Sequence, residues 1–197
     1  MKRAGIFSAM IVLLACLVPF PALSAQTKIE AEKLDRYFDA LVSQDRIMLS
    51  IELAREGAVL YRYQGGFASV EDQRPLTEKS RFRIGSITKT FTAVLVLQLV
   101  EEGLIGLDTS LEQYVPAVKN ASGITLKHLL SHRSGIANFT NAPEYANYMT
   151  KAQTRQQLIE RIAALEPEFE PGDRYGYSNS NYFLLGAIVE DVSGKDY

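Results

Sequence analysis

The chain has 197 residues, 47% of them hydrophobic and 22% charged, with a formal net charge of −2. That composition excludes a disordered or fibrous protein. The mild acidity disfavours nucleic acid and anionic lipid as partners.

Lys2 and Arg3 precede an apolar run from Ile6 to Phe20, followed by Pro21 and the small-residue stretch Ala22-Leu23-Ser24-Ala25. A charged start, an apolar middle and a small-residue cleavage site are the layout of a signal peptide, so residues 1–25 read as a leader and the exported chain as starting near Gln26. Its removal takes Lys2 and Arg3 from the 21 basic residues and none of the 23 acidic ones, leaving 19 against 23, or −4. The only cysteine, Cys16, goes with the leader, so the mature chain has no thiol, disulfide or Cys-based metal site. Leu13-Leu14-Ala15-Cys16 offers a lipoprotein cleavage site as an alternative, but the apolar Leu17 to Phe20 is a poor start for a lipidated protein. The best later apolar run, Phe91 to Val100, is about half of the ~20 residues a membrane span needs. A periplasmic or secreted protein without a transmembrane anchor is expected.

Helical spacing of Ile29, Leu34, Tyr37, Phe38 and Leu41 among charged residues predicts an amphipathic helix over 29–44. The β-rich runs 47–53 and 58–63, separated by Ala54-Arg55-Glu56-Gly57, predict a hairpin. A polar loop from Ser69 to Lys79 leads to Phe82-Arg83-Ile84-Gly85, and Ser86 opens a helix to about Glu102, stopped by Gly103. Because 91–100 is apolar nearly all round, this helix is expected to be buried. A turn-rich connector follows, Leu107 to Pro116. Further helices are predicted over 125–131, with Thr125 as cap, over 154–165, and over 180–192, ending at Ser193-Gly194, with a Pro- and Gly-bearing loop at 166–173. Only two strands are visible, fewer than an independent sheet needs.

The chemistry centres on Ser86-Ile87-Thr88-Lys89. At a helix start, a spacing of three puts both side chains on one face beside free backbone N–H groups. A serine needs a partner to take its proton, and an amine one turn away can serve once its charge is suppressed. The pattern alone is weak: with 14 serines in the chain, about one Ser-x-x-Lys arises by chance, and a capping serine with a solvated lysine is the bland alternative. Against that alternative, Lys89 leads directly into the apolar helix, where an idle ammonium is costly. The second signal is Tyr177-Ser178-Asn179, between Pro171-Gly172 and the last helix. A phenol and a carboxamide two residues apart can face one cleft, as proton carrier and orienting group; equally, Tyr177 is one of ten tyrosines and Asn179 a candidate cap.

Other chemistries fit less well. His128-Leu129-Leu130-Ser131-His132 has a zinc-like spacing on a helix, but Leu129 stands where a metalloprotease needs its glutamate and no third ligand is evident, so no metal is expected. A phosphate loop ending at Lys89-Thr90 requires glycine where Arg83 and Thr88 stand. No serine carries the glycines of a nucleophile elbow. Asn120-Ala121-Ser122 and Asn138-Phe139-Thr140 are glycosylation-type triplets that matter only in a eukaryotic secretory route. Phe139, Tyr145, Tyr148 and Tyr175 are candidate cleft walls, with core packing as the default.

Taken together, these segments resemble the penicillin-recognising serine hydrolases, in the branch of class C β-lactamases, D-alanyl-D-alanine carboxypeptidases and esterases. Phe82 to Lys89 looks like the first motif of that family, Leu129-Leu130-Ser131-His132-Arg133-Ser134-Gly135-Ile136 is similar to its internal LLSHxSG segment, and Pro171-Gly172, Tyr177-Ser178-Asn179, Tyr182 and Leu185-Gly186 match the second motif and the helix after it. The resemblance implies an α+β, β-lactamase/transpeptidase-like fold with an antiparallel sheet beside a helical region. It implies an acyl-enzyme mechanism without a cofactor on a small-molecule or peptide substrate: a β-lactam, a D-amino-acid peptide or an ester. Ser86 would be the nucleophile, Lys89 and Tyr177 the proton shuttle, Asn179 the group that orients Lys89 and the substrate amide, and the Ser86 N–H half of an oxyanion hole.

The third motif of the family, Lys-Thr-Gly or His-x-Gly, does not occur. The family's later strands and C-terminal helix are expected after Tyr197, so 26–197 is expected to be the N-terminal portion of the domain, truncated before the last strands and with doubtful turnover by itself. The contrasting reading is a non-catalytic module of the same fold that binds or senses cell-wall peptides.

Overall fold

The computed structural model describes residues 29–197. The expectations for the leader at 1–25, Cys16 and a start at Gln26 lie outside the described residues. Helix and strand are both present, in two compact units, one ending at Phe82 and the other running from Arg83 to Tyr197.

In the first unit, α1 (Ala31–Val42) accompanies an antiparallel hairpin of β1 (Leu49–Arg55) and β2 (Ala58–Gly65), with Ile51 opposite Tyr63 and Leu53 opposite Tyr61. Phe38 of α1 lies 5.1 Å from the Tyr63 ring. One helical turn apart, Asp35 and Asp39 accept from the Tyr61 and Tyr63 hydroxyls, each at 2.9 Å. Polar tips thus find partners while the rings cover the helix. Strand β1 continues through Ala54 and Arg55, expected to be turn, because Glu56 (φ 50°) and Gly57 (φ 81°) complete a two-residue turn of the hand that suits twisted strands. A second hairpin, β3 (Phe67–Ser69) with β4 (Arg74–Pro75), occupies part of the expected loop. Strands of three and two residues show no period in sequence; this one is closed instead by Ser69 Oγ donating to Asp72 at 2.8 Å.

The hydrophobic core sits in the second unit, with Val96, Leu111, Ile124, Leu126, Leu129 and Leu184 at its centre. A 3-10 turn, Gly85–Ile87, leads into α2 (Thr88–Glu101), which packs on α6 (Asn179–Ser193). The expectation that α2 is buried all round does not hold. Thr92, Val96 and Leu99 form one buried stripe, at helical spacing, whereas Phe91 is 59% and Leu97 49% exposed; α6 covers a single face. Between them lie α3 (Leu126–Leu130), the unanticipated short helix α4 (Tyr145–Tyr148), and α5 (Arg155–Ala163). Thr125 caps α3 as expected, and Thr154 with Gln157 forms a reciprocal capping box on α5.

One glycine fixes the loop that carries the second motif. Gly135 has φ +76°, and a Cβ there would lie 1.9 Å from the Phe169 carbonyl oxygen, so only glycine allows the two backbones to meet. Backbone bonds then tie the two segments together: Glu168 N–H to Gly135 O at 2.8 Å, Gly172 N–H to Arg133 O at 2.8 Å and Gly176 N–H to His132 O at 2.9 Å. Tyr177 is delivered at the end of this seam.

Candidate active site

Packing of α2 against α6 brings the two sequence signals together. Ser86 lies in the turn before α2 and Lys89 in its first helical turn, while Tyr177 precedes α6 and Asn179 is its first residue. Ser86 Oγ is 2.8 Å from Tyr177 Oη. Lys89 Nζ donates to Ser86 Oγ at 3.2 Å and to Asn179 Oδ1 at 2.7 Å. The capping alternatives fail, since neither the α2 nor the α6 start has a side-chain cap hydrogen bond.

Asn179 Oδ1 also accepts from the Tyr177 hydroxyl at 3.2 Å. In the neutral phenol that bond uses the Tyr177 proton; once the phenol is ionised, Oη can only accept, and Ser86 Oγ donates to the phenolate, the direction nucleophile activation requires. The Tyr177 phenol is held below its ordinary value of 10.0, first by its polar interaction with the Lys89 ammonium and then by the Ser86 hydrogen bond, with burial opposing. Both partners favour the charged phenolate over the neutral phenol. Lys89 Nζ also sits 5.0 Å from the Tyr177 ring centroid and 5.6 Å from that of Tyr182, so two aromatic faces receive the ammonium.

Asn179 is itself held by residues that sequence reasoning did not single out for the site. Its Nδ2 donates to Thr140 Oγ1 at 2.9 Å, and Thr140 Oγ1 donates to Asn138 Oδ1 at 3.0 Å. Asn138 Oδ1 also accepts the Asn179 backbone N–H at 3.0 Å. Because the amide nitrogen is committed to Thr140, the amide oxygen must face Lys89. The triplet Asn138-Phe139-Thr140 was visible, but only as a glycosylation pattern. Its folded role depends on a contact about forty positions along the chain.

The two histidines have separate surroundings. His128 is part of the α3 cap, its Nδ1 accepting from Thr125 N–H at 3.3 Å. Helix α3 ends at Leu130 and His132 has φ +56°, so the two imidazoles do not share a helical face. Among the described residues no group of three or more His, Cys, Asp or Glu side chains is placed to hold a metal ion. Of the candidate cleft walls, Tyr148 is buried and Phe139 packs edge-on to Tyr145, at 5.8 Å, and to Phe183, at 6.4 Å. Tyr175 alone of the four is both exposed and beside the site, 5.9 Å from the His132 ring.

Comparison with known proteins places this geometry in context. The family model described as Beta-lactamase matches residues 34–197. Penicillin-binding protein 4* of Bacillus subtilis (strain 168) is 30% identical over 167 residues, covering 83% of this chain and 37% of that protein. Esterase EstB of Burkholderia gladioli is 30% identical over 181 residues, covering 84% and 46%. Among solved structures, the octameric penicillin-binding protein homologue from Pyrococcus abyssi superposes with a TM-score of 0.73 at 32% identity, covering 86% of this chain and 40% of that one. The chain thus spans less than half the length of these relatives, and its mixed helix and strand fold is that of the penicillin-binding and β-lactamase proteins.

Proposed function

The chain belongs to the beta-lactamase family, and on that premise we propose that it is a serine hydrolase working through an acyl-enzyme on an amide, an ester or a β-lactam. The observation that carries this reading is the closed ring of hydrogen bonds through Ser86, Tyr177, Asn179 and Lys89, with Ser86 Oγ 2.8 Å from the phenol oxygen and 3.2 Å from the ammonium. Ser86 Oγ attacks the acyl carbon while its proton passes to the Tyr177 phenolate at Oη. The new O–C bond forms as the C–N or C–O bond breaks, and the leaving nitrogen or oxygen takes the proton back from Tyr177. Water then attacks the Ser86 ester, giving its proton to the regenerated phenolate, which returns it to Ser86 Oγ as the ester bond breaks. Lys89 remains an ammonium that stabilises the phenolate, and Asn179 keeps it in place. The Ser86 backbone N–H, at the first turn before α2, is one donor to the developing oxyanion. One relative is named an esterase and another a penicillin-binding protein, which supports esters and penicillins as substrate classes. No group in this mechanism requires a cofactor.

Export is part of the proposal, supported by the layout of residues 1–25. N-terminal sequencing of the protein from its host is expected to start near Gln26; Met1, or a lipidated Cys16, would overturn export by this route.

The test of the chemistry is acylation by p-nitrophenyl acetate and by a penicillin, read by intact mass and peptide mapping. One acyl group on Ser86, absent from Ser86→Ala, is expected. Reversible binding of penicillin with no adduct would instead favour a non-catalytic binding module, and an adduct on another residue would remove Ser86 as nucleophile.

A further inference from the structure

The His132 side chain is used by neither the acyl transfer nor the helix caps, yet it is buried, 9% exposed. Its backbone lies in the left-handed region, at φ +56°, which a histidine adopts at a cost when its surroundings require it. Two contacts show what is gained. The His132 carbonyl accepts from Gly176 N–H at 2.9 Å, and the ring Nδ1 accepts from Ser178 N–H at 3.2 Å. Those two amides flank Tyr177. One residue therefore grips the chain on both sides of the phenol, and its ring lies against the Tyr177 ring, centroids 4.6 Å apart and planes 34° apart.

A buried chain of hydrogen bonds fixes the tautomer. Ile136 N–H donates to Ser134 Oγ at 3.1 Å, so the Ser134 hydroxyl donates onward, to Asn181 Oδ1 at 2.6 Å. With its oxygen taken, Asn181 turns its amide nitrogen to His132 Nδ1, at 3.3 Å. Nδ1 thus faces two donors, Ser178 N–H and Asn181 Nδ2, and must be unprotonated, leaving the ring proton on Nε2. Protonating Nδ1 would set donor against donor and release the Ser178 amide.

We propose that His132 is a positioning residue that acts through Tyr177: as a neutral Nε2–H imidazole it clamps the backbone on both sides of the phenol and so sets the distance from Tyr177 Oη to Ser86 Oγ. The clamp rests on the reading of Ser86, Lys89 and Tyr177 as the reacting set. The titratable groups facing the ring are Lys89, Tyr175, Tyr177 and Tyr182. Burial, and then the Lys89 charge, keep the imidazole below its ordinary value of 6.5, in keeping with a ring that works neutral.

Three readouts test the clamp. In long-range proton–nitrogen spectra of the wild-type chain at neutral pH, His132 is expected as the Nε2–H tautomer; an Nδ1–H tautomer overturns the proposal without any variant. In chain carrying Cζ-labelled tyrosine, with the Tyr177 resonance identified from Tyr177→Phe, wild type is expected to titrate below 10. His132→Phe keeps a ring but no acceptor. It is expected to return the Tyr177 titration to 10 or above and to slow Ser86 acylation by p-nitrophenyl acetate by about 100-fold, the scale of an ångström's misplacement. His132→Asn restores an acceptor near the Nδ1 position on a residue that tolerates the left-handed backbone, and is expected to recover most of both. Equal losses in the two variants, or a His132→Phe chain that matches wild type, would overturn the clamp. Should His132→Phe fail to fold, the tautomer and the His132→Asn titration decide. A wild-type chain with no adduct on Ser86 defeats the hydrolase reading, and the tautomer still judges the clamp separately.

Discussion

The starts of α2 and α6 supply the two halves of one site, but they are held in different ways. At the start of α2, Ser86 and Ile87 are exposed, no side chain caps the helix, and the turn enters through Gly85 at φ +51°. At the start of α6, Ser178, Ser180 and Asn181 are buried and bonded: Ser178 Oγ and Ser180 Oγ both donate to Ala137 O, at 3.3 and 2.6 Å, and Ser180 Oγ accepts Phe139 N–H at 3.1 Å. Buried polar groups that satisfy one another fix a geometry, because any shift leaves a desolvated donor or acceptor unpaired. Ser86 thus sits where an acyl group can reach it, while the backbone on either side of Tyr177 and Asn179 is held by buried bonds.

Four substitutions or conditions sharpen or break that contrast. The largest effect is expected for Ser86→Ala on the open side: complete loss of the acyl adduct by mass, with stability within about 1 kcal/mol of wild type, because the bonds lost to Tyr177 and Lys89 are exposed. Tyr177→Phe removes the proton acceptor and is expected to slow acylation by about 10² to 10⁴-fold, measured as p-nitrophenol release, with the fold retained by circular dichroism. Thr140→Val on the buried side frees the Asn179 amide. A fall of about fivefold in acylation rate and about 1 kcal/mol in denaturant stability is expected; an effect on rate with none on stability would break the link between packing and positioning.

The smallest effect is on pH dependence. Because the native His132 value is lowered, the unfolded chain binds more protons than the native one between that value and 6.5. Stability therefore rises with pH across this window and falls on acidification. Thermal melts of wild type against His132→Asn are expected to show a shallower slope below pH 6.5 in the variant; parallel curves would contradict a neutral buried imidazole.

What the sequence revealed follows the range of the interactions involved. The cap at Thr125, the stop at Gly103 and the Ser86 to Lys89 spacing are local, and each is where the pattern places it. Apolar composition cannot say which neighbours a helix has, so α2 was read as buried while Phe91 and Leu97 stand exposed. The β3–β4 hairpin and α4 are too short for periodicity to register. Thr140 and His132 carry no local signal for their contacts, since Asn179 and Ser178 lie about forty residues further on. Tyr177 and Asn179 were legible because the second motif is itself local, whereas the groups that orient them are not.

The claim that most needs measuring is that the Tyr177 phenolate takes the Ser86 proton. Lys89 favours the phenolate, so the acylation rate should be low when the phenol is protonated and rise with pH through a value below the ordinary 10.0. The direct measurement is the pH profile of Ser86 acylation by p-nitrophenyl acetate, set beside the Cζ titration of Tyr177 in the same labelled chain. We predict one coincident transition below pH 10, lost in Tyr177→Phe. An acylation rate that is flat across the Tyr177 titration, or a transition that survives in Tyr177→Phe, would contradict it.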